Sequence, residues 1–201
     1  MSLKLLGNRK RGCTFIVSAP AGTGKTTLVS RLAQEFPCVV QSVSYTTRIS
    51  RPGEVEGVHY NFISKAAFEK KIEEEEFLEF VCLYGCYYGT SRKWVERNLN
   101  AGKHVVLVID TQGAIYLRER IDAIAIFILP PAIGELKRRL KIRGTETNEK
   151  IEERLSLAEE ELKAVQLYDY AIINDDLEIA YQVLRSIFIA EEHRVLSIQT
   201  S

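Results

Sequence analysis

Along the chain, short apolar runs alternate with longer segments whose apolar residues recur every three or four positions, with polar or glycine-rich breaks between them. The runs read as strands and the segments as helices. Cys13–Val17 is the first strand, rich in apolar and β-branched residues. After a break at Ser18–Gly24, Leu28 and Leu32 fall one turn apart and predict a helix from Lys25. Pro37 ends it, and Cys38–Val43 reads as a second strand. Tyr60–Ile63 reads as a short strand, with Ser64 as the N-cap of a helix over Lys65–Glu75. Phe77–Val81 alternates imperfectly as a strand, and Tyr84–Thr90 reads as a loop rich in glycine and tyrosine. Ser91 begins a helix that ends near Ala101, with Gly102 capping it. Val105–Ile109 and Ala123–Ile128 are unbroken apolar runs, as in strands buried on both faces of a parallel sheet. A helix over Ile133–Arg143, a second from Asn148 to about Leu167, a strand over Tyr170–Asn174 and an amphipathic helix over Leu177–Glu192 complete the order. Strands alternating with helices predict an α/β fold with a parallel, doubly wound sheet. The polar region from Ser44 to Thr90 interrupts that alternation and is expected to be an inserted lobe.

The break after the first strand carries the sharpest chemistry. Ala19-Pro20-Ala21-Gly22-Thr23-Gly24-Lys25-Thr26-Thr27 places two glycines and Lys-Thr between a strand and a helix start. This is the phosphate-binding loop of a P-loop NTPase-type sheet. Gly22 and Gly24 let backbone N–H groups turn inward around an anion, and the helix N-terminus adds partial positive charge. Lys25 is suited to the outer phosphates and the Thr26 hydroxyl to Mg²⁺. The usual pattern GxxxxGK[ST] opens with glycine where this chain has Ala19. Pro20 follows it, so residue 19 is expected to be extended and to need no positive φ.

Composition narrows the class. The 201 residues are 46% hydrophobic and 27% charged, and 27 basic residues balance 27 acidic ones. A net charge of zero argues against a general nucleic-acid or membrane-surface binder. No apolar run is long enough to span a membrane, and Met1–Gly12 lacks the apolar core of a secretory signal, so a cytoplasmic location is expected. Cys13, Cys38, Cys82 and Cys86 form no CxxC pair; Cys13 and Cys82 are expected to be buried structurally. His59, His104 and His193 are scattered and read as ordinary surface or strand residues.

Three further features bear on a site. Arg48 and Arg51 stand three apart in a polar segment; their forks suit bidentate phosphate contacts, and a solvated loop would look similar. Glu79 stands among four apolar neighbours, where a carboxylate needs either a ligand's donors or a salt bridge. Asp110 closes a central strand at its carboxyl end, which faces the ligand crevice in α/β sheets. Arg139 and Arg143 share one helix face, and Arg154 is expected to face outward from the next helix.

With these residues in place, the chain resembles guanylate kinases from about Gly12 to Glu192. The matching blocks are SAPAGTGKTT, SVSYTTRISRPGEVEGVHYNF, EFLEF, GCYYGTS, DTQGA, RRLKIRGTET and IINDDL. The resemblance implies transfer of the γ-phosphoryl group of ATP, with Mg²⁺, to GMP, giving ADP and GDP. It implies one domain over 1–201, with a core at about 12–43, 91–135 and 165–192, a GMP-binding lobe at about 44–90 and a small helical lid at about 136–160. It implies that Arg48 and Arg51 hold the GMP phosphate, with hydroxyls from Tyr60 and Tyr88. Glu79 and Asp110 would take the guanine N1–H and N2–H₂ donors and Ser44 would meet O6, with Thr90 lining the same pocket. Ala19 to Thr27 and Asn174 would serve ATP. Lys25, Arg48, Arg139, Arg143 and Arg154 would form the catalytic set, in which Lys25, Arg139, Arg143 and Arg154 would surround the transferring group, Arg139 and Arg143 swinging in as the lid closes. The acceptor is already charged at neutral pH, so no general base is needed. The partners implied are these two small molecules, with no nucleic acid, no membrane, and a monomer or homodimer. Two letters depart from the family pattern: Ala19, and Val108, where an acid is frequent. The competing classes are a non-catalytic guanylate-kinase-like interaction domain and a kinase acting on a phosphorylated sugar. Lys25, Thr26, Arg139 and Arg143 argue against the first; Ser44, Glu79 and Asp110 together argue against the second.

Overall fold

A computed structural model of the chain describes residues 4–83, 85–143 and 148–195. In chain order the elements are β1 (Thr14–Ser18), α1 (Lys25–Glu35), β2 (Val39–Gln41), β3 (Tyr45–Thr46), β4 (Asn61–Phe62), α2 (Lys65–Glu73), β5 (Phe77–Leu83), β6 (Cys86–Ser91), α3 (Arg92–Asn100), β7 (His104–Val108), α4 (Thr111–Arg118), β8 (Ile124–Leu129), α5 (Ile133–Arg143), α6 (Asn148–Lys163), β9 (Tyr170–Ile173) and α7 (Leu177–Glu192). A 3₁₀ turn at Val165–Leu167 ends the run that the sequence reads as one helix from Asn148.

The central sheet has the order β2-β7-β1-β8-β9, and every pairing in it is parallel. Its apolar runs are unbroken because each strand feeds two layers. Phe15 and Val17 face a cluster with Leu28, Val29 and Leu32 of α1 and Leu184 and Phe188 of α7. Ile16, Val105 and Leu107 face the other side, against Val95 and Leu99 of α3 and Ala114 and Leu117 of α4. A period of two within a wholly apolar run is the signature of a strand covered on both faces.

A second sheet, β4-β3-β6-β5, lies within residues 45–91. Here the structure corrects the sequence reading: Cys86–Thr90 is not loop but strand, and Tyr84 lies outside the described residues. Gly85, with φ 73°, belongs to a tight turn, and Cys86–Ser91 is β6, paired antiparallel with β5. The misleading glycine is Gly89, a strand residue; a Cβ there would stand 2.9 Å from the Phe68 ring and 3.0 Å from that of Phe77. Those rings stack at 4.4 Å, and glycine makes room for them.

Further departures have physical causes. The apolar pattern predicts no helix after Asp110, but α4 forms there, capped by Asp110 and buried through Ala114 and Leu117. Cys82 is exposed, not buried, because it stands on the outer face of β5. His104 is no ordinary strand residue. It is fully buried, its Nδ1 accepts from the Cys13 N–H at 3.2 Å, and its Nε2 lies 2.7 Å from Glu192 Oε2 at the end of α7. Among the described residues no helix is long and apolar enough to cross a membrane.

Candidate active site

The carboxyl ends of β1 and β7 open onto a cleft of about 770 Å³ between the central and second sheets. Parallel strands align their carboxyl ends, so loops from sequence-distant strands converge there. From the phosphate loop the cleft is lined by Ala19, Ala21, Lys25 and Thr26. The second sheet and its connections contribute Ser44, Arg48, Arg51, Tyr60, Glu79 and Tyr88. Asp110 enters from the end of β7 and Arg154 from α6. Arg154 therefore does not face outward, as its helix periodicity suggested; it looks into the cleft beside Glu153 and Leu157.

The loop geometry follows from its glycines. Gly22 and Gly24 take φ of 91° and 89°, in the left-handed region where a Cβ is penalised. Ala19 needs no such conformation: Glu75 is the sole non-glycine with positive φ among the described residues. Thr23 Oγ1 closes the turn on the Pro20 carbonyl at 2.9 Å. Lys25 Nζ donates to the Ala19 carbonyl at 2.7 Å, which folds its ammonium back across the loop. Pro20, Gly22, Thr23, Gly24 and Thr27 shape the loop without lining the cleft. Asn174 stands behind the loop: it is buried and donates from Nδ2 to the Thr23 carbonyl at 2.6 Å. Arg139 does not line the cleft either; it bonds Glu135 Oε1 at 2.9 Å and the Asn174 carbonyl at 3.2 Å. The side chain of Arg143 lies outside the described residues.

Glu79 is buried because β5 is irregular. A register shift between Phe77 and Glu79 breaks the alternation, and Phe77, Leu78 and Glu79 all point inward. Thr90, opposite on β6, is fully buried and donates to Glu79 Oε1 at 2.6 Å. Glu79 Oε2 is buried with no hydrogen-bond partner among the described residues. Gly113 of α4 leaves it space, since a Cβ there would sit 2.9 Å from Oε2. Burial pushes the Glu79 carboxyl up to about 7; the Thr90 hydroxyl opposes this and the Asp110 charge adds to it. Asp110 accepts the N–H groups of Gln112 and Gly113 on Oδ1, at 2.7 and 3.1 Å. Its Oδ2 makes no hydrogen bond among the described residues.

At the other end, Arg48 stacks its guanidinium 5.2 Å from the Tyr60 ring, and Tyr60 meets Tyr88 edge-on at 6.0 Å. Burial pushes the Tyr60 hydroxyl above its ordinary value, so it stays a donor.

Three acids that the sequence does not single out as site residues also line the cleft: Glu54, Glu153 beside Arg154, and Glu161. Glu54 bonds Arg48 at 2.7 Å, and its place in an Arg-Pro-Gly-Glu turn was the available signal. Glu161 of α6 accepts from the Thr111 hydroxyl at 3.5 Å; burial pushes its carboxyl up to about 7, against the pull of Lys25 and with the push of Asp110. No motif pointed to Glu161, because only the packing of α6 over the cleft brings it there. Among the described residues no group of three His, Cys, Asp or Glu side chains is placed to hold a metal ion.

The guanylate kinase family model matches residues 11–191. The chain belongs to the guanylate kinase family. It is 62% identical to the guanylate kinase of Protochlamydia amoebophila over 192 residues, covering 95% of this chain and 98% of that one. The guanylate kinase of Chlamydia trachomatis serovar D is 52% identical over 182 residues, covering 90% and 89%. Among solved structures, guanylate kinase from Anaplasma phagocytophilum superposes with a TM-score of 0.77 at 34% identity, covering 92% of this chain and 88% of that one. The guanylate kinase match spans both sheets and the cleft between them, so the fold is that of the family throughout.

Proposed function

We propose that this chain phosphorylates GMP to GDP at the expense of ATP, with the two nucleotides meeting in the cleft between the sheets. The observation that carries the reading is the pairing of a phosphate loop at one end with the half-satisfied buried carboxylate of Glu79 at the other. A lone carboxylate oxygen out of water is costly without donors. Guanine offers N1–H and N2–H₂ together; adenine has neither and would leave Glu79 Oε2 and Asp110 Oδ2 unpaired. The discrimination follows from that mismatch, on the order of the 10⁴-fold seen where a site reads a polar group.

The roles follow from position. Glu79 and Asp110 accept from guanine, the Ser44 hydroxyl meets O6, and Thr90 fixes the Glu79 carboxylate. Arg48 and Arg51 take the GMP phosphate, helped by the Tyr60 and Tyr88 hydroxyls. The N–H groups of the loop from Ala19 to Thr27 cradle the ATP phosphates, and Asn174 braces that loop from behind. Lys25 leaves the Ala19 carbonyl for the transferring phosphoryl group, where Arg154 also bears. Arg139, and Arg143 after it on α5, approach as α5 and α6 close and water is excluded. Phosphoryl transfer to a charged oxygen rests on alignment and charge stabilisation rather than on proton abstraction.

The site fits a Mg²⁺ that arrives with ATP. Thr26 presents an exposed hydroxyl at the cleft, and the described residues offer no protein cage that would hold the ion alone. When bound, Mg²⁺ neutralises charge on the ATP phosphates. Val108 lines the cleft where other members often carry an acid, so acceptors at that edge are Asp110 and Glu161.

The test is ADP release from ATP and Mg²⁺ with GMP, AMP, CMP or UMP as acceptor. ADP formation that requires GMP supports the reading. Turnover with a different acceptor refutes the guanine pocket, and binding of GMP without turnover refutes the kinase.

A further inference from the structure

Glu54 lines the cleft as a carboxylate beside the arginines meant for an anion, and phosphoryl transfer itself gives it no role. It closes the turn Arg51-Pro52-Gly53-Glu54 in both directions. Its own N–H donates to the Arg51 carbonyl at 3.0 Å, and its Oε2 accepts the Arg51 N–H at 2.7 Å. Gly53, with φ 84°, gives the turn its sharpness. Oε1 accepts from Arg48 at 2.7 Å, with both side chains only about one-sixth exposed, at 15% and 17%.

Arg48 is therefore held from several sides. A second guanidinium nitrogen donates to the Ile49 carbonyl at 2.8 Å, and the Tyr60 and Phe62 rings lie 5.2 and 5.8 Å from its central carbon. A guanidinium has five N–H donors in a rigid fork, so engaging two nitrogens this way still leaves donors for a ligand. Glu54 cannot swing out to make room for a phosphate without opening its own turn. Nor does it neutralise the cradle: one carboxylate faces two arginines, which leaves a net positive charge for a phosphate dianion. Burial raises the Glu54 carboxyl, but the bonds from Arg48 and the Arg51 N–H and the charges of both arginines outweigh it, so the group stays ionised.

We propose that Glu54 is a positioning residue for the acceptor phosphate: it fixes the fork of Arg48 and the backbone at Arg51 in the arrangement that receives that phosphate, and it remains in place when the nucleotide binds. The proposal rests on the assignment of Arg48 and Arg51 to the GMP phosphate. It predicts an effect confined to the phosphate, because nothing in the turn touches the guanine end.

The experiment is calorimetric titration of wild type and Glu54→Gln with GMP, guanosine and ATP, together with steady-state rates. The amide keeps the shape of the turn but loses the charge that pins Arg48. GMP affinity should fall on the order of tenfold, the scale for a misplaced polar contact. Guanosine and ATP affinities should stay within about twofold, and KM for GMP should rise with little change in kcat. In an Arg48→Ala background Glu54→Gln should cost far less, since the coupled partner is gone. Unchanged or tighter GMP binding overturns the proposal, and so does an equal loss for guanosine, which would mark a purely structural role. Wild type that binds guanosine as tightly as GMP removes the phosphate cradle itself, and is distinguishable from a failure of Glu54 alone. If Glu54→Gln does not fold, Glu54→Asp, too short to span Arg48 and the Arg51 N–H, should show the same GMP-specific loss; normal GMP affinity in that variant refutes the proposal.

Discussion

Replacing Glu79 with glutamine should weaken the enzyme's grip on GMP and, at alkaline pH, strengthen its fold. The ligand-free carboxyl titrates at about 7 against an ordinary 4.5. Keeping it charged in the folded protein therefore costs about 3 kcal/mol, at about 1.4 kcal/mol per unit. The sign follows from the direction of the shift. A raised folded pKa means that the folded state holds the proton more tightly than the unfolded chain does. The associated stability is present in full below pH 4.5 and is lost as pH rises through 7. Glutamine removes the charge but pairs its amide imperfectly, so a net gain of about 1–2 kcal/mol is expected at pH 8 and almost none at pH 5. For a chain of 201 residues that is a rise of about 2–8 °C in melting temperature at pH 8. GMP binding moves the other way. Losing the charged acceptor of the guanine donors should cost about 2–3 kcal/mol, or about 30- to 150-fold in Kd. In wild type, GMP affinity should fall as pH drops below 7, steepening toward tenfold per unit, beyond whatever loss Glu79→Gln still shows from protonation of the phosphate. Calorimetry of GMP binding and thermal melts, each at pH 5, 6, 7 and 8 on both proteins, read all three quantities. GMP affinity equal to wild type at pH 8, or a melting temperature that does not rise there, refutes the argument.

Three further outcomes are expected. Lys25→Ala should lower kcat by at least about 100-fold, read by ADP release, with the Kd for GMP within about twofold, because the ammonium serves the phosphoryl end alone. Gly24→Ala adds strain at φ 89° and a Cβ 2.6 Å from Asn174 Nδ2, so it should lower stability by about 1–3 kcal/mol in urea melts and weaken ATP binding while sparing GMP. His104→Ala removes a partner from both the Cys13 N–H and Glu192 and should cost about 3–5 kcal/mol in the same melts, with kcat at 25 °C unchanged in the fraction that remains folded.

The phosphate loop was legible because its requirements are local. Two glycines at positive φ, a lysine and a helix start all lie within nine consecutive residues. The helix over Ile133–Arg143 and that over Leu177–Glu192 were equally legible, since a one-sided apolar stripe needs no partner to be recognised. The strand at Cys86–Ser91 was not, because Gly89 is placed by two aromatic rings from other elements rather than by its own backbone preference. The inward turn of Arg154 was hidden for the same reason: periodicity gives the faces of α6 but not which face the cleft lies against.

Composition, periodicity and short motifs by themselves determined the α/β order, the anion-binding loop and the set of charged residues from which a nucleotide site is built. Those are properties of chain neighbours, whose interactions span a few residues. Tertiary structure alone decided which of the acids are under tension. Glu79, Glu54 and Glu161 are three ordinary glutamates in the sequence. The register shift in β5 buries the first, two arginines and a turn pin the second, and the docking of α6 brings the third near Lys25. Desolvation and charge proximity act through space, so residues as far apart as Glu79 and Asp110 set each other's acidity only once the sheets have packed.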